Sequence, residues 1–208
     1  MTSYVTIPNT DVDAESPIDV DLATAWRDNP IAITEGSAGA PKIPWIYIST
    51  GTVAAASLDI TDLTTDYRAY ALVFDDLTPV TDSVSFSLRT STDNGSTFTS
   101  TAASYGHSRC DTAGLVTGVS DTALQLLAGA GNVTGEIAGG IVYILNPMDS
   151  GGRTRVLSNI NYVDATSTNR HVSGGGNRAA AEANDAIRFF FSTGNIASMN
   201  YSFYGIRA

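Results

Sequence analysis

The run His107-Ser108-Arg109-Cys110-Asp111 places one of the chain's two histidines close to its single cysteine. A thiol beside an imidazole is the material of nucleophilic catalysis, because the imidazole takes the thiol proton and leaves a thiolate. The local context argues against that use. Catalytic Cys and His converge from distant segments, and no glycine elbow or oxyanion signal flanks this run. The stretch reads as an edge strand or a loop. His171 stands alone in a polar segment, and two histidines with one cysteine are too few donors for a zinc site. Asp11, Asp13 and Glu15 alternate, with Asp19 and Asp21 following, and such spacing can bind calcium. The glycine and closing glutamate of an EF-hand are missing, so a solvated acidic arm is expected. Asp59, Asp62, Asp66, Asp75, Asp76 and Asp82 scatter through turns, and no motif selects a carboxylate pair for glycoside cleavage. No Gly-rich phosphate cradle precedes a helix, and there is no dinucleotide fingerprint. The expectation is a protein that is not an enzyme, with no catalytic residue, no metal and no cofactor.

Ser91-Thr92-Asp93-Asn94-Gly95-Ser96-Thr97-Phe98 is the sharpest local motif. Asn94-Gly95 supplies the positive-φ positions of a tight turn, and Asp93 can accept from backbone amides across it. Asp93, Asn94 and Gly95 are therefore read as a structural turn. The pattern resembles the Asp-box of sialidases and other β proteins, with Phe98 where tryptophan is usual. That resemblance implies a folding device remote from any active site. Tyrosines are the other candidates for contact, since the ring stacks on sugars while the hydroxyl donates or accepts. Tyr105, Tyr162, Tyr201 and Tyr204 are candidate glycan contacts, with packing in the core or a subunit interface as the alternative for each.

These residues sit in a chain of 208 with 43 % hydrophobic residues, nine Tyr, seven Phe and two Trp, enough for a substantial core. Only 15 % of residues are charged, and the net charge is −10. Eleven Lys and Arg spread along the whole chain do not make the cationic stripe that nucleic acid or anionic lipid requires. One cysteine forms no intrachain disulfide, so stability must come from packing or assembly. No apolar run approaches the roughly 18–20 residues of a membrane span. Met1-Thr2-Ser3-Tyr4-Val5 lacks the basic and apolar regions of a secretory leader, so synthesis in a cytoplasm is expected.

The elements divide into an arm and a body, residues 1–44 and 45–208. The arm carries one short helix over 16–29. Ser16 suits the cap, Pro17 the first helical position and Asp19 the positive end of the dipole. Ile18, Leu22 and Trp26 recur every fourth residue as one stripe, and Asn29-Pro30 is expected to stop the helix. Three turns are too short to stand alone, so the stripe must dock. Ile18, Leu22, Trp26, Pro30 and Ile33 are the candidate attachment or oligomer interface. The body reads as many short strands with turn signals between them. Candidates are 44–49, 67–75, 83–89, 141–145, 153–162, 186–192 and 200–206, with 67–75 central because both its faces are apolar. Residues 121–127 fit either a helical turn or a strand. Residues 129–140 and 174–181 read as small-residue loops. The fold class is mainly β: a single jelly-roll-like β-sandwich preceded by an arm with one short helix.

Two segments carry a family resemblance. Val5-Thr6-Ile7-Pro8-Asn9-Thr10-Asp11-Val12-Asp13-Ala14-Glu15-Ser16-Pro17, Arg27-Asp28-Asn29-Pro30-Ile31-Ala32-Ile33 and Gly39-Ala40-Pro41-Lys42-Ile43 resemble the N-terminal segment of tailed-bacteriophage virion proteins. Phe191-Ser192-Thr193-Gly194-Asn195-Ile196-Ala197-Ser198 and Tyr204-Gly205-Ile206 look like the last strands of phage jelly-roll modules. The resemblance implies a virion structural protein, homotrimeric as many such appendages are. The arm would attach it to other virion proteins, and the sandwich would face the host surface and its glycans. No collagen-like, coiled-coil or β-helical shaft follows, so a short tail fibre or tip is expected. A capsid decoration or head-fibre protein is the alternative, and a polysaccharide depolymerase a third.

Overall fold

The computed structural model describes residues 2–7, 20–35, 44–111 and 114–207. The chain divides into two compact units, Met1–Ile46 with Arg207 and Tyr47–Ile206 with Ala208. The first unit is built on one helix, α1 (Val20–Glu35). Its buried line is Leu22, Ala25 and Ala32. That spacing of three and seven puts small side chains on one face. Beside it, the Val5 amide donates to the Asn29 side-chain oxygen at 2.9 Å, and Asn29 returns a bond to the Val5 carbonyl at 2.9 Å. One side-chain amide thus satisfies both backbone groups of Val5, as a β-ladder partner would.

The helix differs from expectation at its end. It runs through Pro30 to Glu35. Proline lacks an amide, so the bond to the carbonyl four residues earlier is forgone, and the turn that follows restores the ladder. The expected apolar stripe also divides. Leu22 is buried, whereas Trp26 is 56 % exposed; Ile31, outside that stripe, is also exposed. Pro30 is exposed and Ile33 half-buried, while Ile18 and the acidic residues Asp11, Asp13, Glu15 and Asp19 lie outside the described residues.

The second unit is two antiparallel sheets packed as a sandwich. In chain order the strands are β1 (Trp45–Thr52), β2 (Ser57–Ile60), β3 (Ala69–Pro79), β4 (Val84–Ser91), β5 (Tyr105–Asp111) and β6 (Gly114–Asp121). They continue with β7 (Leu124–Ala130), β8 (Ala138–Leu145), β9 (Arg155–Val163), β10 (Asn169–Arg178), β11 (Ala186–Phe191) and β12 (Ile196–Ile206). The large sheet has the order β1-β12-β3-β8-β9-β10-β5-β6, and the small sheet β2-β11-β4-β7. Remove the hairpins β5–β6 and β9–β10, and two four-stranded sheets remain whose chain path alternates as in a jelly roll. The two hairpins extend the large sheet beyond β8. Residues 121–127, ambiguous in sequence, close β6 and open β7.

The core lies between the sheets. Val84, Phe86 and Leu88 of β4 point inward in period two, and Phe86 and Leu88 have no exposure. Phe86 meets Phe74 of the opposite sheet with ring centroids 5.9 Å apart, and Phe191 beside it at 5.2 Å. Tyr70 stacks on Phe203 at 5.3 Å. Its buried hydroxyl donates to the Thr64 carbonyl at 2.9 Å and accepts from the Thr64 amide at 2.7 Å.

Part of the expected loop 174–181 is strand. Gly174, Gly175 and Gly176 lie inside β10, between β9 and β5. Gly174 stands opposite Arg109 and Gly176 opposite His107. Both β5 side chains are large and half- or fully buried, and the missing side chains across from them leave the space they fill. A Cβ on Gly174 would sit 2.6 Å from Arg109 Cβ. One on Gly176 would overlap the Gly106 carbonyl oxygen and come within 2.7 Å of Leu124 Cδ1. These glycines mark close approach rather than looseness. Among the described residues no helix is long and apolar enough to cross a membrane.

Candidate functional site

Period two along β4 turns Ser85, Ser87 and Arg89 away from the core while Val84, Phe86 and Leu88 fill it. On the neighbouring strands Phe190 of β11 pairs with Ser87, and Ser87 pairs with Gln125 of β7. Phe190, Ser87 and Gln125 therefore form one row across the outer face of the small sheet. The hairpin β5–β6 rises at the edge of this face and adds His107 and Asp121. Together they enclose a polar groove of about 330 Å³.

The floor is a chain of polar contacts. Arg109 Nη1 donates to Gln125 Oε1. Gln125 Nε2 donates to Ser85 Oγ at 2.7 Å, and the Ser85 amide donates to Ser192 Oγ at 3.1 Å. Arg89 lies over the Phe190 ring, its guanidinium carbon 4.6 Å from the centroid, and its Nε donates to the Thr122 carbonyl at 3.0 Å. Among the described residues Arg89 makes no ion pair.

His107 is the buried member of the wall. Its side chain is 6 % exposed, and its Nδ1 lies 3.1 Å from Asp121 Oδ2. Neither atom is in line for a hydrogen bond. Gly118 makes the pair possible, since any side chain there would overlap the Asp121 carboxylate and the His107 ring. Burial pushes the His107 pKa down, nearby Arg109 pushes the same way, and Asp121 opposes both. The folded protein therefore resists protonating this imidazole more than the unfolded chain does. Stability contributed by neutral His107 is full above the unfolded value of about 6.5 and falls as pH drops through it toward the depressed folded value. Denaturation midpoints at about pH 8 and about pH 5 check the sign, and His107→Gln is expected to shrink the difference between them.

The run that raised nucleophilic chemistry is split by the strand. Tyr105, His107 and Arg109 turn toward the small sheet, while Cys110 belongs to the other face and is exposed. The thiol and the imidazole do not meet. Among the described residues no group of three or more His, Cys, Asp or Glu is placed to hold a metal ion.

Burial corrects two of the candidate glycan tyrosines, Tyr105 and Tyr162. Tyr105 is 1 % exposed, and its hydroxyl donates to the Thr99 carbonyl and accepts from the Thr90 amide. Tyr162 is 4 % exposed and donates to the Ala128 carbonyl at 2.7 Å. Both are core residues whose hydroxyls tie down neighbouring backbone, because a buried hydroxyl needs a partner. Tyr201 and Tyr204 are half-buried, three positions apart on β12, and so do not share a face. Tyr201 packs on the core, and Tyr204 meets Tyr47 edge-on at 6.2 Å. The four do not form one platform.

Asp93, Asn94 and Gly95 build the turn after β4. Asp93 Oδ1 accepts from Ser91 Oγ at 2.6 Å and from the Thr97 amide at 2.8 Å, and Oδ2 accepts from Thr97 Oγ1 at 2.6 Å. These bonds, Ser91 first and then Thr97, hold the Asp93 pKa down to about 2. Asn94 and Gly95 have φ of 53° and 83°. Asn94 also bridges to Asp62 at 2.7 Å and accepts a bond from the Asp62 amide at 2.8 Å, which fastens the turn to the segment after β2.

The groove residues Ser85, Ser87, Arg89, Asp121, Gln125 and Phe190 were not singled out from sequence. The alternation Ser83-Val84-Ser85-Phe86-Ser87-Leu88-Arg89 showed one polar face, but only the sheet order shows what lies beside it. Comparison with protein families, with curated proteins and with solved structures finds no match to this chain.

Proposed function

We propose that this protein is a bacteriophage virion structural subunit, a homo-oligomeric short tail fibre or tail tip. The observation that carries the reading is the division of labour in the chain. A small N-terminal unit exposes Val20, Trp26, Pro30 and Ile31 along one helix. A separate jelly-roll-like sandwich makes up the rest. Apolar side chains left in water on a helix favour burial against a partner. Jelly rolls recur in viral capsid and lectin domains, where stable sheets carry variable surfaces. The resemblance of the first 43 residues to the attachment segments of phage virion proteins points the same way. In this reading the helix docks on another virion protein, and three copies present their sandwiches to the host surface.

Deleting residues 1–44 is expected to leave a body that unfolds cooperatively, because the core lies within the second unit. That truncated protein is expected to be missing from purified particles. Trp26→Asp with Ile31→Asp in the full chain is expected to reduce incorporation in the same way without changing the denaturation midpoint. Normal incorporation of both proteins would sink the proposal. A gold-tagged antibody on purified virions separates the two locations. Label at the tail tip supports an adsorption appendage, and label over the head supports a shell decoration protein.

A further inference from the structure

We propose that the groove over the small sheet binds saccharide, holding one pyranose ring by its vicinal hydroxyls. The site itself stands on the geometry of the groove; its use in host contact rests on the virion reading. The composition of the walls narrows the ligand class. Arg89 offers terminal nitrogens that carry no hydrogen bond among the described residues. Asp121 offers a carboxylate whose side chain is 40 % exposed. The Arg89 guanidinium is planar and presents paired nitrogens at the spacing of adjacent sugar hydroxyls, while Asp121 adds one acceptor, Oδ1, since its Oδ2 is buried against His107. The hydroxyls of Ser85, Ser87 and Ser192 donate or accept as a sugar requires.

Competing ligands fit less well. One cation and one carboxylate balance, and burial keeps His107 neutral, so the groove has no net charge for a phosphate or polyanion. An apolar ligand would leave the serine hydroxyls and the Asp121 carboxylate without water or partner, which costs more than its burial returns. Phe190 still supplies apolar surface for the C–H groups of a ring. A volume of about 330 Å³ sits at the small end of ligand sites, which run from roughly 300 to 1,000 Å³. That is room for one ring, with the open side free for the rest of a chain.

The wall is also built rather than incidental. His107 and Asp121 are held together over Gly118, where no side chain fits. Arg109 is buried behind them and fixes Gln125 in the floor. A ligand would meet side chains whose positions are already set, and that lowers the entropy lost on binding.

The test uses the full chain and defined probes. Amide spectra are recorded during titration with glucose, galactose, mannose, N-acetylglucosamine, glucuronate and inorganic phosphate. At least one neutral pyranose is expected to shift Ser87, Arg89, Thr122 and Phe190 in a saturable way. Arg89→Ala is expected to weaken that binding about tenfold or more, the loss of charge-assisted bonds to the ligand. Thr122→Trp covers the mouth from an exposed turn, without touching the core, and is expected to abolish it. Shifts produced by phosphate or glucuronate alone, shifts confined to other surfaces, or binding that survives Thr122→Trp would overturn the proposal, as would the absence of any shift. Saccharide binding combined with undisturbed adsorption of particles carrying Thr122→Trp would uphold the site and sink its role in host contact.

Discussion

Phe86→Ala is expected to lower the free energy of unfolding by about 3–5 kcal/mol, the usual cost of deleting a buried aromatic ring. Phe86 has no exposure, and its ring packs across the two sheets in the centre of the core. Phe74 meets it from β3, Phe189 and Phe191 from β11, with centroids 5.2 to 6.1 Å away. Alanine removes the ring and leaves a void that three other aromatic rings and two hydrogen-bonded sheets cannot collapse to fill. Stability of the whole domain is only about 5–15 kcal/mol, so this one change consumes a large fraction of it. Denaturant titration measures the effect as a lower midpoint at unchanged slope. Val119→Ala provides the contrast. Val119 is 84 % exposed on β6, and its loss is expected to stay within about 0.5 kcal/mol. A small loss at Phe86 would mean that the sheets are held together elsewhere.

The same physics explains which parts of the fold were legible in the sequence. Strand β4 was, because a half-buried strand writes its two faces in alternation, and Val84, Phe86 and Leu88 sit between serines. Strand β3 was legible as a central strand, and it lies between β12 and β8. Only its Tyr70, Leu72 and Phe74 face is fully buried, however, and Val73 on the other face is 39 % exposed. Strand β10 was not. Its three glycines carry no hydrophobic signal, since their burial is dictated by Arg109, His107 and Leu124 on strands distant in sequence. The helix overran Pro30 because a proline costs one bond and a clash, which packing of Leu22, Ala25 and Ala32 can outweigh. Tyrosine is ambiguous by nature, apolar in its ring and polar at its tip. Tyr105 and Tyr162 therefore admit both readings in sequence, surface platform and packed post, and their burial decides for the second.

The candidate site was less legible than the fold. Asp93-Asn94-Gly95 is local, and its hydrogen bonds run mostly between residues two to four positions apart. A local motif carries its partners with it. The groove draws on β4, β5, β6, β7 and β11, so its members are neighbours only after the sheets have formed. His107 was visible as a chemical residue, but Cys110 was the wrong partner. An odd spacing on a strand sends two side chains to opposite faces, and the partner on the correct face, Asp121, arrives from the next strand.

Gly176→Val is expected to cost about 3 kcal/mol or more and to remove the groove along with the stability. The added side chain would overlap the Gly106 carbonyl and press on Leu124 at 2.7 Å. The first obstacle is backbone, held by the β10–β5 ladder, and cannot turn aside as a side chain would. Strands β5 and β10 would have to separate at the pair Gly176 and His107, and His107 would leave its place beside Asp121. Arg109, two residues along β5, would move with it and release Gln125 from the floor. Gly106→Ala on the adjacent strand separates this mechanism from a general intolerance of side chains. A Cβ there meets only ordinary contacts, with the Asn177 side-chain oxygen and the Gly118 carbonyl at 3.6 Å. It is expected to lose less than about 1 kcal/mol, and a glycine replaced without strain can even gain stability through the unfolded chain. Denaturation of both variants measures the first difference. The second is read from the Ser87 and Arg89 amides, which are expected to shift in Gly176→Val and to stay in place in Gly106→Ala. Equal losses in the two variants would mean that β10 is not held by close approach. The glycine run would then have to be explained by something other than the side chains that face it.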